Sequence, residues 1–165
     1  MHVTHTFEPV YNGESRVLVL GTFPSVKSRE SAFYYGHPQN RFWKVTAAIV
    51  KEKVPVSIEE KKSMLLKHGI AIWDVISSCD IKGSSDSSIK SVVPNDVGGL
   101  LGKSKIIKIY GNGATACRLY DKFCKEKTGV EIIKLPSTSP ANAAFSLERL
   151  IQCWEILRPE NICRK

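Results

Sequence analysis

Several things are missing from this 165-residue chain, and each absence excludes something. No apolar run approaches the ~18 residues that cross a bilayer. There is no Cys-x-x-Cys pair, and the five cysteines, Cys79, Cys117, Cys124, Cys153 and Cys163, are odd in number. A disulfide framework is therefore not expected, nor is a structural zinc site, because His2, His5, His37 and His68 do not supply a cluster of ligands at short spacing. The first ten residues, Met1 to Val10, contain two His and a Glu and no apolar core, so they do not read as a signal peptide. Neither a G-x-G-x-x-G fingerprint nor a P-loop lysine is present, which argues against a nucleotide cofactor. Acidic residues are scarce: 16 against 24 basic ones, a net charge of +8. That excess favours a polyanionic partner. Hydrophobic residues at 42% and charged residues at 24% mark an ordinary globular chain of single-domain size, with residues 1–165 read as one domain. The expected setting is a reducing cytoplasm.

Apolar periodicity gives the order of elements. Val17 to Leu20 is a short, wholly apolar run ended by Gly21, the pattern of a buried parallel strand. Ile70 to Val75, which is mostly apolar, and Ile106 to Tyr110 and Val130 to Leu135 read as three further strands. Helical spacing runs from Phe42 to Val50, and from Ile58 to about His68 behind a Ser57/Glu60 capping box, with Gly69 as the stop. Asn95 is placed to cap a short helix through Leu101. Gly111-Asn-Gly113 turns into a helix with Ala116, Tyr120, Phe123 and Cys124 on one face. Leu147, Leu150, Ile151, Trp154 and Leu157 stripe the last helix, while the seven serines between Ser77 and Ser91 read as loop. Strands alternating with helices predict an α/β fold, a mostly parallel sheet with helices on both faces. Ligands in such folds sit at the carboxyl ends of the strands. Three loops leave those ends, at 21–40, 111–113 and 136–143, and they are expected to converge.

The first loop carries most of the chemistry. It holds a Gly/Pro turn, the aromatics Phe33, Tyr34 and Tyr35, the bases Lys27, Arg29 and Arg41, and the amide Asn40. Aromatic rings in a basic surround suit a stacked nucleobase and its phosphates. Phe42 and Trp43 read as core, and Asn40 also fits the N-terminus of the helix that follows.

Three strings, Gly21-Thr-Phe-Pro-Ser-Val-Lys-Ser-Arg29, Tyr35-Gly-His-Pro-Gln-Asn-Arg-Phe-Trp43 and Ser137-Thr-Ser-Pro-Ala-Asn142, resemble the uracil-DNA glycosylase superfamily, and within it the hypoxanthine-DNA glycosylase family. The resemblance spans about Val17 to Trp154. It implies a three-layer α/β/α sandwich around a four-stranded parallel sheet. It also implies a monofunctional hydrolase that extrudes a deaminated base from DNA, leaves an abasic site and needs no cofactor. Hypoxanthine is the expected base; uracil, mismatched thymine and xanthine are the same-class alternatives, and a non-catalytic DNA-binding module is the different-class one. In the mismatch-specific branch an activating Asn stands where this chain has Phe23, whereas the Asn of His-Pro-x-Asn, the catalytic one in the hypoxanthine family, matches Asn40. Its carbonyl could orient water, or its NH₂ could donate to the leaving base. The resemblance makes Asn112 a second catalytic candidate, Tyr35 the base-stacking ring, and Phe23 and Asp74 base contacts. It assigns the loop Ser137, Thr138, Ser139, Pro140, Ala141 and Asn142 to the minor groove. Lys27, Arg29, Arg41 and Lys44 are the expected phosphate contacts. Asn-Gly at 112–113 and the Ser/Pro string at 136–140 also read as plain turns. Monomeric action is expected.

Overall fold

The computed structural model describes residues 1–5 and 7–158; Cys163 lies outside them. The central sheet is built from β2 (Val17–Gly21), β3 (Ile70–Asp74), β6 (Lys108–Asn112) and β7 (Ile132–Leu135). Its order is β3-β2-β6-β7 and all three pairings are parallel. β2 is central and buried along its whole length. Side chains alternate across a strand, so Val17 and Val19 enter one core and Leu18 and Leu20 the other. A wholly apolar strand is what a sheet covered on both faces requires.

On the Val17/Val19 side lie α2 (Phe42–Val50), α3 (Ile58–Lys67) and α7 (Leu147–Trp154). Phe42 of α2 meets Trp154 of α7 edge-on at 5.9 Å. The Trp154 indole N–H donates to the Pro136 carbonyl at 2.9 Å, which fastens α7 to the start of the loop after β7. The Ser57/Glu60 capping box at the start of α3 is present with both hydrogen bonds. Gly69 follows α3 at φ +73°, a conformation that glycine adopts without strain. The opposite face is covered by α4 (Val97–Gly102) and α5 (Ala114–Phe123), through Val97, Leu100, Leu119 and Tyr120.

Several boundaries differ from the sequence reading. The serine-rich stretch is not one loop. β4 (Ile76–Asp80) and β5 (Lys90–Pro94) join β1 (His2–Thr4) in a second, antiparallel sheet of order β1-β4-β5. Serine is a poor strand former, but pairing with the N-terminal segment overrides that preference. Asp96, not Asn95, caps α4 by accepting from Gly99 N–H; the Asn95 amide instead donates to the Asp74 and Ile76 carbonyls. The loop after β2 contains a short helix, α1 (Val26–Ser31). β6 starts two residues later than expected and runs through Asn112, so the turn into α5 is Gly113 alone, at φ +97°. β7 is likewise shorter, starting at Ile132. The short α6 (Lys125–Thr128) follows α5, and Leu157 lies on a 3₁₀ turn beyond α7.

Candidate active site

The three loops do converge. Gly21–Ser25, Tyr35, Asn40, Asp74, Asn112 and Ser137–Ser139 line one pocket of about 380 Å³ at the carboxyl edge of the central sheet. That volume is within the range of small-ligand sites.

A chain of hydrogen bonds forms one wall. The Asn112 side chain grips Thr138 at two points: its NH₂ donates to the Thr138 hydroxyl at 3.0 Å and its carbonyl accepts from Thr138 N–H at 3.0 Å. The Thr138 hydroxyl, fully buried, donates onward to Asn40 Oδ1 at 2.9 Å. Asn40 Oδ1 also accepts from Phe42 N–H at 2.9 Å. The two readings of Asn40 therefore coexist: its carbonyl helps open α2 and its side chain borders the pocket. Arg41 occupies the formal cap position without a side-chain bond. With both carbonyl lone pairs occupied, the NH₂ is the part of Asn40 left to act on a ligand.

Tyr35 has its ring stacked on Phe42, with centroids 4.0 Å apart and planes at 17°. Phe42 thus covers one face of the ring, and Tyr35 is among the residues that line the pocket. Tyr35 adopts φ +53°, unusual for a bulky residue and a mark of a backbone held by its surroundings. Its hydroxyl is buried beside Asn112 without a hydrogen bond of normal geometry. Burial pushes that hydroxyl well above the ordinary tyrosine range and Asp74 adds to the effect, while the Asn112 amide pulls it back. It is a neutral donor.

Asp74, at the end of β3, is buried at 4% exposure. One oxygen, Oδ2, accepts from His5 Nε2 at 2.8 Å. His5 Nδ1 in turn accepts from Phe7 N–H at 3.1 Å, which leaves Nε2 as the nitrogen that donates to Asp74. Phe23 sits half-buried at the pocket lip, edge-on to His5 at 6.0 Å.

The basic residues divide into two groups. Arg41 does not face outward. Its guanidinium donates to the carbonyls of Ser139 (2.9 Å), Asn142 (3.0 Å) and Phe145, and its backbone N–H to that of Thr138 at 3.0 Å. This commits its charged fork to shaping the 136–145 loop instead of a phosphate, a correction to the expected contact. Arg29 is similarly engaged with the Pro24 and Gly83 carbonyls and over the Phe23 ring at 5.8 Å. Lys27 and Lys44 are exposed, Lys27 beside Glu30 at 3.6 Å. His37 Nδ1 accepts from Gln39 N–H at 3.0 Å, a local turn contact. In the 136–145 loop, Ser137 and Ser139 hydroxyls accept from the N–H groups of Ser139 and Ala141, both at 3.1 Å, and Asn142 donates to the Ser137 carbonyl at 3.0 Å. Ala141 is exposed at its tip and Pro140 half-buried.

Two contributors are not evident from the sequence. His5 lies 69 residues from its partner, and only the pairing of β1 with β4 brings it there. Ser84, Ser85 and Asp86, from the β4–β5 connection, also line the pocket.

An α/β/α fold with a pocket at the sheet's carboxyl edge, lined largely by polar residues, is a frame that can hold a small ligand. Residues 8–158 match the family model for the Uracil DNA glycosylase superfamily, and the chain belongs to that superfamily. It is 36% identical over 151 residues to a Methanosarcina acetivorans protein named hypoxanthine DNA glycosylase, covering 90% of this chain and 94% of the relative. A Methanosarcina barkeri protein of the same name is 32% identical over 85 residues, 51% of this chain and 54% of that one. The solution NMR structure of a uracil DNA glycosylase candidate from Methanosarcina acetivorans superposes with a TM-score of 0.82 at 31% identity, covering 98% of this chain and 99% of that one.

Proposed function

We propose that the protein excises hypoxanthine from deoxyinosine in DNA by hydrolysing the N-glycosidic bond. The observation that carries this reading is the Asn112–Thr138–Asn40 chain, which leaves the Asn40 NH₂ bordering the pocket while its carbonyl is fixed. Excision requires the nucleotide to leave the duplex. The flipped base enters the pocket against the free face of Tyr35, beside Phe23 and over Asp74. As the glycosidic bond lengthens, negative charge gathers on the base and positive charge on the sugar. The Asn40 N–H stabilises the departing base by donating to it, a contact that strengthens as charge develops. Water attacks the sugar carbon, the bond to the base nitrogen breaks with its electron pair going to the base, and the base then takes up a proton. No lysine is among the described residues that line the pocket, which supports attack by water and an intact strand carrying an abasic site.

The loop from Ser137 to Asn142, braced by Arg41, lies against the minor groove, with Pro140 and Ala141 as a modest wedge. Lys27 and Lys44 contact phosphates. The protein acts as a single-domain monomer in a reducing cytoplasm. The free state of Cys79, Cys117, Cys124 and Cys153 supports that setting, and no helix among the described residues is long and apolar enough to cross a membrane. Single-turnover excision on oligonucleotides carrying one deoxyinosine, followed by alkaline strand scission, tests the reading. Cleavage only after alkali is expected. A strand nicked without alkali would contradict the hydrolytic route, and no cleavage with retained DNA binding would favour a binding module.

A further inference from the structure

The His5–Asp74 pair is more elaborate than a buried carboxylate needs for its own satisfaction. The two side chains are 1% and 5% exposed. His5 is fixed at both nitrogens, so Oδ2 of Asp74 is fixed as well. The other oxygen, Oδ1, accepts no hydrogen bond from any described residue, yet it is not among the sealed polar atoms. It belongs to a residue that lines the pocket, and it stands against Gly21. A Cβ on that glycine would come within 2.4 Å of Oδ1 and 3.0 Å of the Tyr35 hydroxyl. The β2 terminus thus lacks a side chain where the carboxylate stands. The result is an acceptor-only group, held rigid on one side and open to the pocket on the other.

We infer that His5 is a positioning residue that holds Asp74 Oδ1 as an acceptor for the ring N–H which deamination creates on the base. This rests on the glycosylase reading and adds its selectivity. Adenine presents a lone pair at N1. Hypoxanthine, its deamination product, carries a hydrogen there. A carboxylate oxygen accepts from that N1–H and repels the adenine lone pair, so one contact attracts the damaged base and rejects its parent. An amide at this position would lack the discrimination, because it can turn its NH₂ toward adenine. The His5 hydrogen bond to Oδ2 matters because a carboxylate free to rotate would not hold one oxygen on the base. Guanine shares the N1–H, so the pair separates hypoxanthine from adenine alone.

The test compares duplexes carrying 2′-deoxyinosine or 1-methyl-2′-deoxyinosine, in which a methyl group replaces the critical hydrogen, under single-turnover conditions. Wild type excises the first far faster than the second. Asp74→Ala and His5→Phe are expected to lower the deoxyinosine rate about ten- to hundredfold, the worth of a hydrogen bond to a charged group, and to leave the methylated substrate nearly unaffected, so the ratio collapses. His5→Gln, whose amide N–H can still donate to Oδ2, keeps the ratio near that of wild type. Equal slowing on both substrates means a structural role only and overturns the inference; so does a ratio unchanged in Asp74→Ala. Melting curves identify a His5→Phe variant that does not fold, in which case the Asp74→Ala ratio decides. Wild type that fails to excise deoxyinosine refutes the underlying activity instead, and that result is visible before any variant is made.

Discussion

Replacing Asn40 by Ala and by Asp separates its structural work from its chemistry. Ala removes both hydrogen bonds accepted by Oδ1, from Phe42 N–H and from the Thr138 hydroxyl, each 2.9 Å long. At about 1 kcal/mol each, the loss is about 2 kcal/mol, with the buried Thr138 hydroxyl left without its acceptor. For a protein of this size that corresponds to a fall in Tm of about 4–8 °C. Asp keeps an acceptor oxygen at both contacts, and its negative charge at the start of α2 is favourable there. Its Tm should stay within about 2 °C of wild type. Both variants lose the NH₂ donor, and removal of a preorganised donor of this kind costs about 10²–10³ in rate. Paired measurements of thermal unfolding and single-turnover excision of deoxyinosine provide the check. The expected pattern is a stable, nearly inactive Asp variant and a less stable, nearly inactive Ala variant. An Asp variant that excises at the wild-type rate would refute the argument that the amide N–H acts on the leaving base.

Other outcomes follow from the same geometry. Thr138→Val deletes the hydroxyl between the two asparagines, and excision should fall at least about tenfold while the loop fold, read by limited proteolysis, is kept. Gly21→Ala forces Asp74 Oδ1 away from a Cβ that would sit 2.4 Å from it, so deoxyinosine excision should be lost while circular dichroism is unchanged. DNA affinity should fall steeply with salt, and Lys44→Ala should reduce the slope of log K against log salt by about one, read by fluorescence anisotropy; Arg41→Ala should change that slope less than Lys44→Ala, because its guanidinium is occupied by loop carbonyls.

The central sheet was readable because its strands are short runs rich in apolar residues, a pattern that leaves little choice of location. Val17 to Leu20 is the clearest case. The second sheet was not readable. Ile76-Ser-Ser-Cys-Asp80 has the composition of a loop, and its strand geometry comes from β1, more than seventy residues earlier, as in the pairing of Val3 with Cys79. His5 was missed for the same reason, since nothing local marks a histidine whose partner is distant. Asn40 and Asn112 stood out through the family resemblance of the strings around them, while locally each also read as a cap or turn residue. Thr138, which joins them, read only as one member of a Ser/Thr string. Arg41 shows the limit of charge as a guide: a sequence displays the guanidinium but not the three carbonyls, 98 to 104 residues away, that occupy it.

The most direct test of the central claim is single-turnover excision by the wild-type protein on matched duplexes carrying deoxyinosine or deoxyuridine. With Phe23 in place of an activating polar side chain and Asn40 as the donor, rapid release of hypoxanthine and little release of uracil is the predicted result. Uracil released as fast as hypoxanthine, or neither base released, would contradict it.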